Sequence, residues 1–201
     1  MRIYLISNNL LLDGLCYDNT SNLELIRMLR PLSKDGEEAL SKTIHLKELQ
    51  NIEKVYSSFY ASALGSAKYL SKHLELPINM DERLNDCKVG NLGSKNMKMV
   101  KGLQDHEFTY KLPMGESLND VGNRLNNFVS KIINDNEECV LFTHKRAILG
   151  FLLKYSKVGY NLDDNLILEY NGKIIYDDVD TDIDIYEIEI ENKEIIEINR
   201  I

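Results

Sequence analysis

Short apolar runs at Arg2 to Ser7, Val55 to Ser58 and Cys139 to Thr143 are separated by stretches whose apolar residues recur at helical spacing, and this alternation constrains the fold more than any other feature. A parallel strand buried in a sheet needs cover on both faces, and crossover helices supply it. One helix is expected from Ser33, an N-cap with Glu37 and Glu38 in the first turn, to about Leu49. A second spans Tyr60 to Leu74, with Ala63, Ala67, Leu70 and Leu74 on one face. The clearest opens at Ser117, which with Asp120 has the spacing of a capping box, and carries the apolar stripe Leu118, Val121, Leu125, Phe128 and Ile132. Lys145 to Tyr155 reads as a further helix. The expected architecture is α/β, a three-layer α/β/α sandwich whose sheet is mostly parallel with antiparallel C-terminal edge strands.

The C-terminal part has another rhythm. Asn171-Gly172 between Leu166-Ile167-Leu168 and Ile174-Ile175-Tyr176 is a two-residue hairpin signal. Ile183, Ile185, Ile188 and Ile190 alternate but change register at Ile185-Tyr186, which predicts a bulge there. Residues 166–201 are therefore expected as hairpins at the sheet edge. Residues 85–115 have weak periodicity and read as an irregular excursion over the sheet. With 201 residues and no linker or repeat, residues 1–201 are read as one domain.

A net charge of -8 disfavours nucleic acid and anionic membrane as partners. The sparse cysteines, Cys16, Cys87 and Cys139, suggest a reducing compartment and no disulfide framework. Met1-Arg2 leads straight into a strand-like run rather than a secretory segment, and a cytoplasmic protein is expected.

Several segments fall in an order that resembles one family. Pro31-Leu32-Ser33-Lys34-Asp35-Gly36 resembles its Pro-Leu-Ser/Thr-x-x-Gly helix start, and Val55-Tyr56-Ser57-Ser58 with Ala63 and Ala67 resembles its second strand and following helix. Pro113-Met114-Gly115-Glu116-Ser117 resembles its Gly-Glu-Ser motif, and Val140-Leu141-Phe142-Thr143-His144 the strand carrying its second histidine. The family is the histidine phosphatase superfamily, with the phosphoglycerate-mutase-like fold, and the resemblance covers roughly Met1 to Leu153. It implies a phosphohistidine mechanism. One histidine attacks phosphorus, two arginines clamp the phosphoryl oxygens, a second histidine binds the group and a carboxylic acid protonates the leaving oxygen.

At the matching positions this chain departs from the pattern. The family's Arg-His-Gly reads Ser7-Asn8-Asn9, and its second arginine reads Ser62. A carboxamide nitrogen has its lone pair delocalised into the carbonyl and is a poor nucleophile. His144 and Asp86, at the second histidine and the acid, remain as candidate catalytic groups. Ser7, Asn8, Asn9, Ser58, Ser62, Lys145 and Arg146 are candidate ligand contacts, the last two as replacements for lost positive charge. Plainer readings stand beside these: a polar strand-to-loop turn for Ser7, Asn8 and Asn9, helix-start residues for Ser58 and Ser62, and a solvated pair for Lys145 and Arg146. His144 alternatively bonds to backbone, and Asp86 is then a loop residue.

Cys87 beside Asp86 reads as a loop thiol. Asp178, Asp180, Asp182 and Asp184 read as a solvated strand face rather than a calcium loop, because Ile183 stands where the turn needs glycine. His45, His73 and His106 lack metal-ligand spacing, and no metal or cofactor is implied. Three functions follow. The first is a pseudophosphatase acting as a binding or regulatory module, the second a repurposed enzyme using His144 and Asp86 on a non-phosphorylated molecule. The third is a phosphatase or mutase of small phosphorylated metabolites by a non-standard route. The expected partner is a small polar molecule or a protein, and a homodimer stays open.

Overall fold

The run that opens the chain is buried from Ile3 to Ser7, as a strand covered on both faces must be. The computed structural model describes residues 1–13, 22–179 and 181–201. In it this run forms β1 (Arg2–Asn8), between β4 (Cys139–Phe142), which is parallel to it, and β8 (Ile183–Glu191), which is antiparallel. β2 (Lys54–Ser57) pairs in parallel with β4 and with the edge strand β3 (Ile78–Met80). β9 (Glu194–Arg200) closes the other edge against β8, giving the order β3-β2-β4-β1-β8-β9.

Alternating side chains of β1 enter two separate cores. Ile3 and Leu5 pack with Leu141, α5 (Leu118–Asp135) and α6 (Lys145–Leu152). Tyr4 and Ile6 pack with Val55, Phe142, α2 (Lys34–Thr43) and α3 (Ala61–Leu74). The result is a three-layer sandwich with a mostly parallel central sheet and antiparallel C-terminal edge strands. Ser117 and Asp120 cap α5 reciprocally at 3.1 Å each, and the stripe Leu118, Val121, Leu125, Phe128 and Ile132 is buried. α5 and α6 cross at bare backbone: a Cβ on Gly122 would lie 2.1 Å from the carbonyl oxygen of Gly150.

Some expectations are corrected. The helix from Ser33 ends at Thr43, and Lys47–Leu49 is a separate tight turn. The helix after His144 ends at Leu152 rather than Tyr155. The 166–176 hairpin does not join the main sheet. With β5 (Lys157–Tyr160), strands β6 (Leu166–Tyr170) and β7 (Lys173–Tyr176) make a sheet of their own. Asn171 and Gly172 turn that hairpin at φ 49° and 79°, the left-handed pair such a turn requires. No bulge occurs at Ile185-Tyr186, since β8 pairs with β1 without interruption there. Both residues are buried because β8 is an interior strand, with Ile185 entering one core and Tyr186 the other. The register shift lies instead at Glu189/Ile190, against β9. Two helices were not anticipated, α1 (Leu23–Leu29) and α4 (Met97–His106). α4 lies within the excursion, where Val89, Val100 and Leu112 form a small core. Among the described residues no helix is long and apolar enough to cross a membrane.

Candidate functional site

The carboxyl ends of β1, β4 and β2 lie side by side. Ile6 pairs with Phe142 and Phe142 with Ser57; Thr143 and Ser58 leave the sheet at the next residue, while Ser7 and Asn8 continue β1 against β8. Thr143 N–H donates to Ile6 O at 2.9 Å and Ser58 N–H to Phe142 O at 3.0 Å, which keeps the three strands in step. Open α/β sheets place their sites at such an edge. Ser62 is buried in the first turn of α3, just beyond.

At the end of β1 and just beyond it the polar side chains bond to one another and to the fold. Asn8 Nδ2 donates to Gly36 O at 3.0 Å, and Asn8 Oδ1 accepts from Leu10 N–H at 3.0 Å. Ser7 Oγ donates to Asn9 Oδ1, and Asn9 Nδ2 donates to Thr181 O and to Asp184 Oδ2. Asp184 in turn binds Arg200 and is 3% exposed, so the expectation of a solvated acidic face fails at this residue. Asp178 is also engaged, with Lys101 and Tyr176, while Asp180 lies outside the described residues. The turn at Ser7 to Asn9 is thus a closed hydrogen-bond network.

His144 sits at the N-terminus of α6. Its Nε2 lies 2.8 Å from Ser58 Oγ, and the Tyr60 ring covers it with centroids 4.7 Å apart. Burial pushes the imidazole down to about 4, against the opposing pull of Asp86. The ring is therefore neutral at physiological pH. Ser58 Oγ accepts from Tyr60 N–H at 3.2 Å, so its own proton suits an unprotonated Nε2. Burial works to raise the Asp86 carboxyl, but Arg27 first, then His144, the Cys87 N–H and Arg146 outweigh it and hold the group below its usual range. Asp86 Oδ2 bonds to Arg27 Nη2 and Asp86 Oδ1 accepts from Cys87 N–H at 2.8 Å. Arg27 also donates to Cys87 O at 2.9 Å and pairs with Glu24, which takes the Tyr60 hydroxyl proton in a hydrogen bond.

Neither candidate group in this assembly is in its acid form: Asp86 is ionised and His144 is neutral. Serine, imidazole and carboxylate lie close together, yet they do not form a nucleophilic triad. Ser58 is 0% exposed, and both Asp86 oxygens are occupied by Arg27 and Cys87 rather than orienting the imidazole. Lys145 donates to Val179 O at 3.1 Å, and Arg146 pairs with Asp105 and Gln104, so both basic residues lean on α4 and the segment before β8. Cys87 is buried, and burial and then Asp86 push its thiol up to about 12. Cys16 lies outside the described residues. Among the described residues no group of three or more His, Cys, Asp or Glu could hold a metal ion.

The model of the Histidine phosphatase superfamily (branch 1) matches residues 28–176. The chain belongs to that superfamily. No curated protein matches it. Solved structures with the same fold include mycobacterial glucosyl-3-phosphoglycerate phosphatase in complex with inorganic phosphate, at 14% identity and TM-score 0.67, covering 100% of this chain and 95% of that one. The alpha-ribazole phosphatase from Shigella flexneri is 14% identical at TM-score 0.65, covering 97% and 93%. Bacillus stearothermophilus YhfR is 17% identical at TM-score 0.63, covering 96% and 93%.

Sequence reasoning missed two arginines of this histidine phosphatase domain. Arg27 supplies the charge beside Asp86. Arg124 donates to the carbonyl oxygens of Arg83, Asn85 and Asp86 at 2.7–2.8 Å and to Glu116 of the Gly-Glu-Ser segment, fixing the loop that carries Asp86. A signal was present for Arg124: it stands one turn from Val121 and Phe128, on the buried stripe of α5, where a charge needs a partner. Arg27 had no such signal, because α1 carries no buried residue.

Proposed function

We propose that this chain is a pseudophosphatase, a histidine phosphatase domain that works by binding rather than by phosphoryl transfer. The observation that carries this reading is the Arg27–Asp86 ion pair beside a neutral His144. The arginines near the acid position, Arg27, Arg124 and Arg146, are each paired within the protein, and neither candidate group is in its acid form. Asn8 stands at the nucleophile position and Ser7 and Ser62 at the clamp positions, so no bidentate cation awaits a phosphoryl group there. Loss of one oxyanion donor alone commonly removes about 3 kcal/mol of transition-state stabilisation.

The test is hydrolysis of a generic phosphomonoester together with acid-labile phosphohistidine formation from a phosphoryl donor. Neither is expected. Asn8→His alone should not recover turnover, because a nucleophile without a clamp has nothing to hold its substrate. The triple change Ser7→Arg, Asn8→His, Ser62→Arg restores the parts that act as a unit, and any recovery should be far from additive. Phosphatase activity in the unmodified chain, abolished by His144→Ala, overturns the reading and promotes a phosphatase of small phosphorylated metabolites. Turnover of a substrate without phosphate, lost with the same variant, promotes a repurposed enzyme.

A further inference from the structure

A cavity of about 270 Å³ lies between Arg27 of α1, the 87–89 loop, α4 and Arg146 of α6. Five cationic side chains line it, Arg27, Lys88, Lys98, Lys101 and Arg146, in a chain whose net charge is -8. Among the described residues no Asp or Glu lines it. Three of the cations have internal partners: Arg27 with Asp86, Lys101 with Asp178 and Arg146 with Asp105. Lys88 and Lys98 make no ion pair among the described residues. Both are exposed at the rim, and Lys98 lies one turn from Lys101 on α4. The floor is apolar, built by Val89, Met97 and Val100. Such a pairing of apolar floor and cationic rim selects by both area and charge.

We propose that this pocket binds a small organic anion with an apolar body, the body resting on Val89 and Val100 and the charged group held between Lys88 and Lys98. The pocket adjoins the candidate site through Arg27, Cys87 and Arg146, but Asn8, Ser62 and His144 do not line it. It deepens the binding-module reading and rests on it only in that the anion is held rather than converted.

The experiment is calorimetric titration of the full chain with naphthalene sulfonate and with its neutral analogue naphthalene methanol. The sulfonate should bind at one site, about tenfold or more tighter than the alcohol, and should weaken as salt is raised. Lys88→Glu and Lys98→Glu should each weaken sulfonate binding about tenfold while leaving the alcohol unchanged, because each reverses a charge at the rim. Both side chains are exposed, so folding is preserved, and circular dichroism checks it. Absence of binding at millimolar sulfonate, equal affinity for the alcohol, or indifference to both lysine variants overturns the proposal. The phosphatase assay reads out the functional reading independently of any of these results.

Discussion

Replacing Arg27 by Met removes the cation and keeps much of the apolar stem. The Arg27 and Asp86 side chains are 19% and 16% exposed, so the pair is mostly, not wholly, desolvated. Breaking a fully buried pair by deleting one partner costs about 3–5 kcal/mol, and partial solvation brings the expected loss to roughly 2–3 kcal/mol. In a chain of this size that lowers the melting temperature by about 4–10 °C. The cost arises because Asp86 keeps only the Cys87 N–H as a strong partner while burial works against its charge. The loss therefore depends on pH. In the native protein the depressed Asp86 group contributes stability above its unfolded value, lost as pH falls through its folded value. In Arg27→Met the folded value rises, so the deficit is full near neutrality and shrinks as acid protonates Asp86. Urea denaturation at pH ~7.5 and pH ~4.5 should show the difference between the two proteins narrowing at the lower pH. Asp86→Ala in the Arg27→Met background should cost much less than in the native protein, a coupling of about 2 kcal/mol. An Arg27→Met loss below about 0.5 kcal/mol, or strict additivity of the two changes, refutes the reasoning.

Two further outcomes are expected. The chemical shifts of the carbon-bound ring protons of His144 should report a midpoint near 4 in an NMR series, and because its folded value lies below its unfolded value, stability should fall as pH drops from about 6.5 toward 4, by up to about 3 kcal/mol; a midpoint above 6 contradicts a desolvated, neutral imidazole. Gly122→Ala should destabilise by about 3 kcal/mol in thermal melts, whereas Gly102→Ala on α4, whose added Cβ meets nothing within 4 Å, should stabilise by about 0.5–1 kcal/mol.

The layers were legible because periodicity reports which faces are buried, and β1, β4, α3 and α5 bury theirs cleanly. β8 was misread because alternation assumes one wet face. A strand between two cores places Ile185 and Tyr186 on opposite dry faces, which looks in sequence like a slipped register. The hairpin at Asn171-Gly172 was legible as a turn, but its sheet was not, since pairing partners are a tertiary choice. α1 and α4 are short and half-exposed, so their periodic signal is weak. His144 and Asp86 could be placed from motif order. Their protonation could not, because it depends on Arg27, which lies 59 residues from Asp86 in the chain and meets it only in the fold.

Asn8 carries a consequence for how the end of β1 tolerates change. Its amide ties the end of β1 to Gly36 and Leu10, and a Cβ on Gly36 would already stand 2.4 Å from Leu10 O and 3.3 Å from Asn8 Oδ1. Asn8→Ala removes both bonds and should cost about 1–3 kcal/mol together. The Asn8 side chain is thus part of the scaffold, so a change at this position registers in stability before it registers in any binding or chemistry.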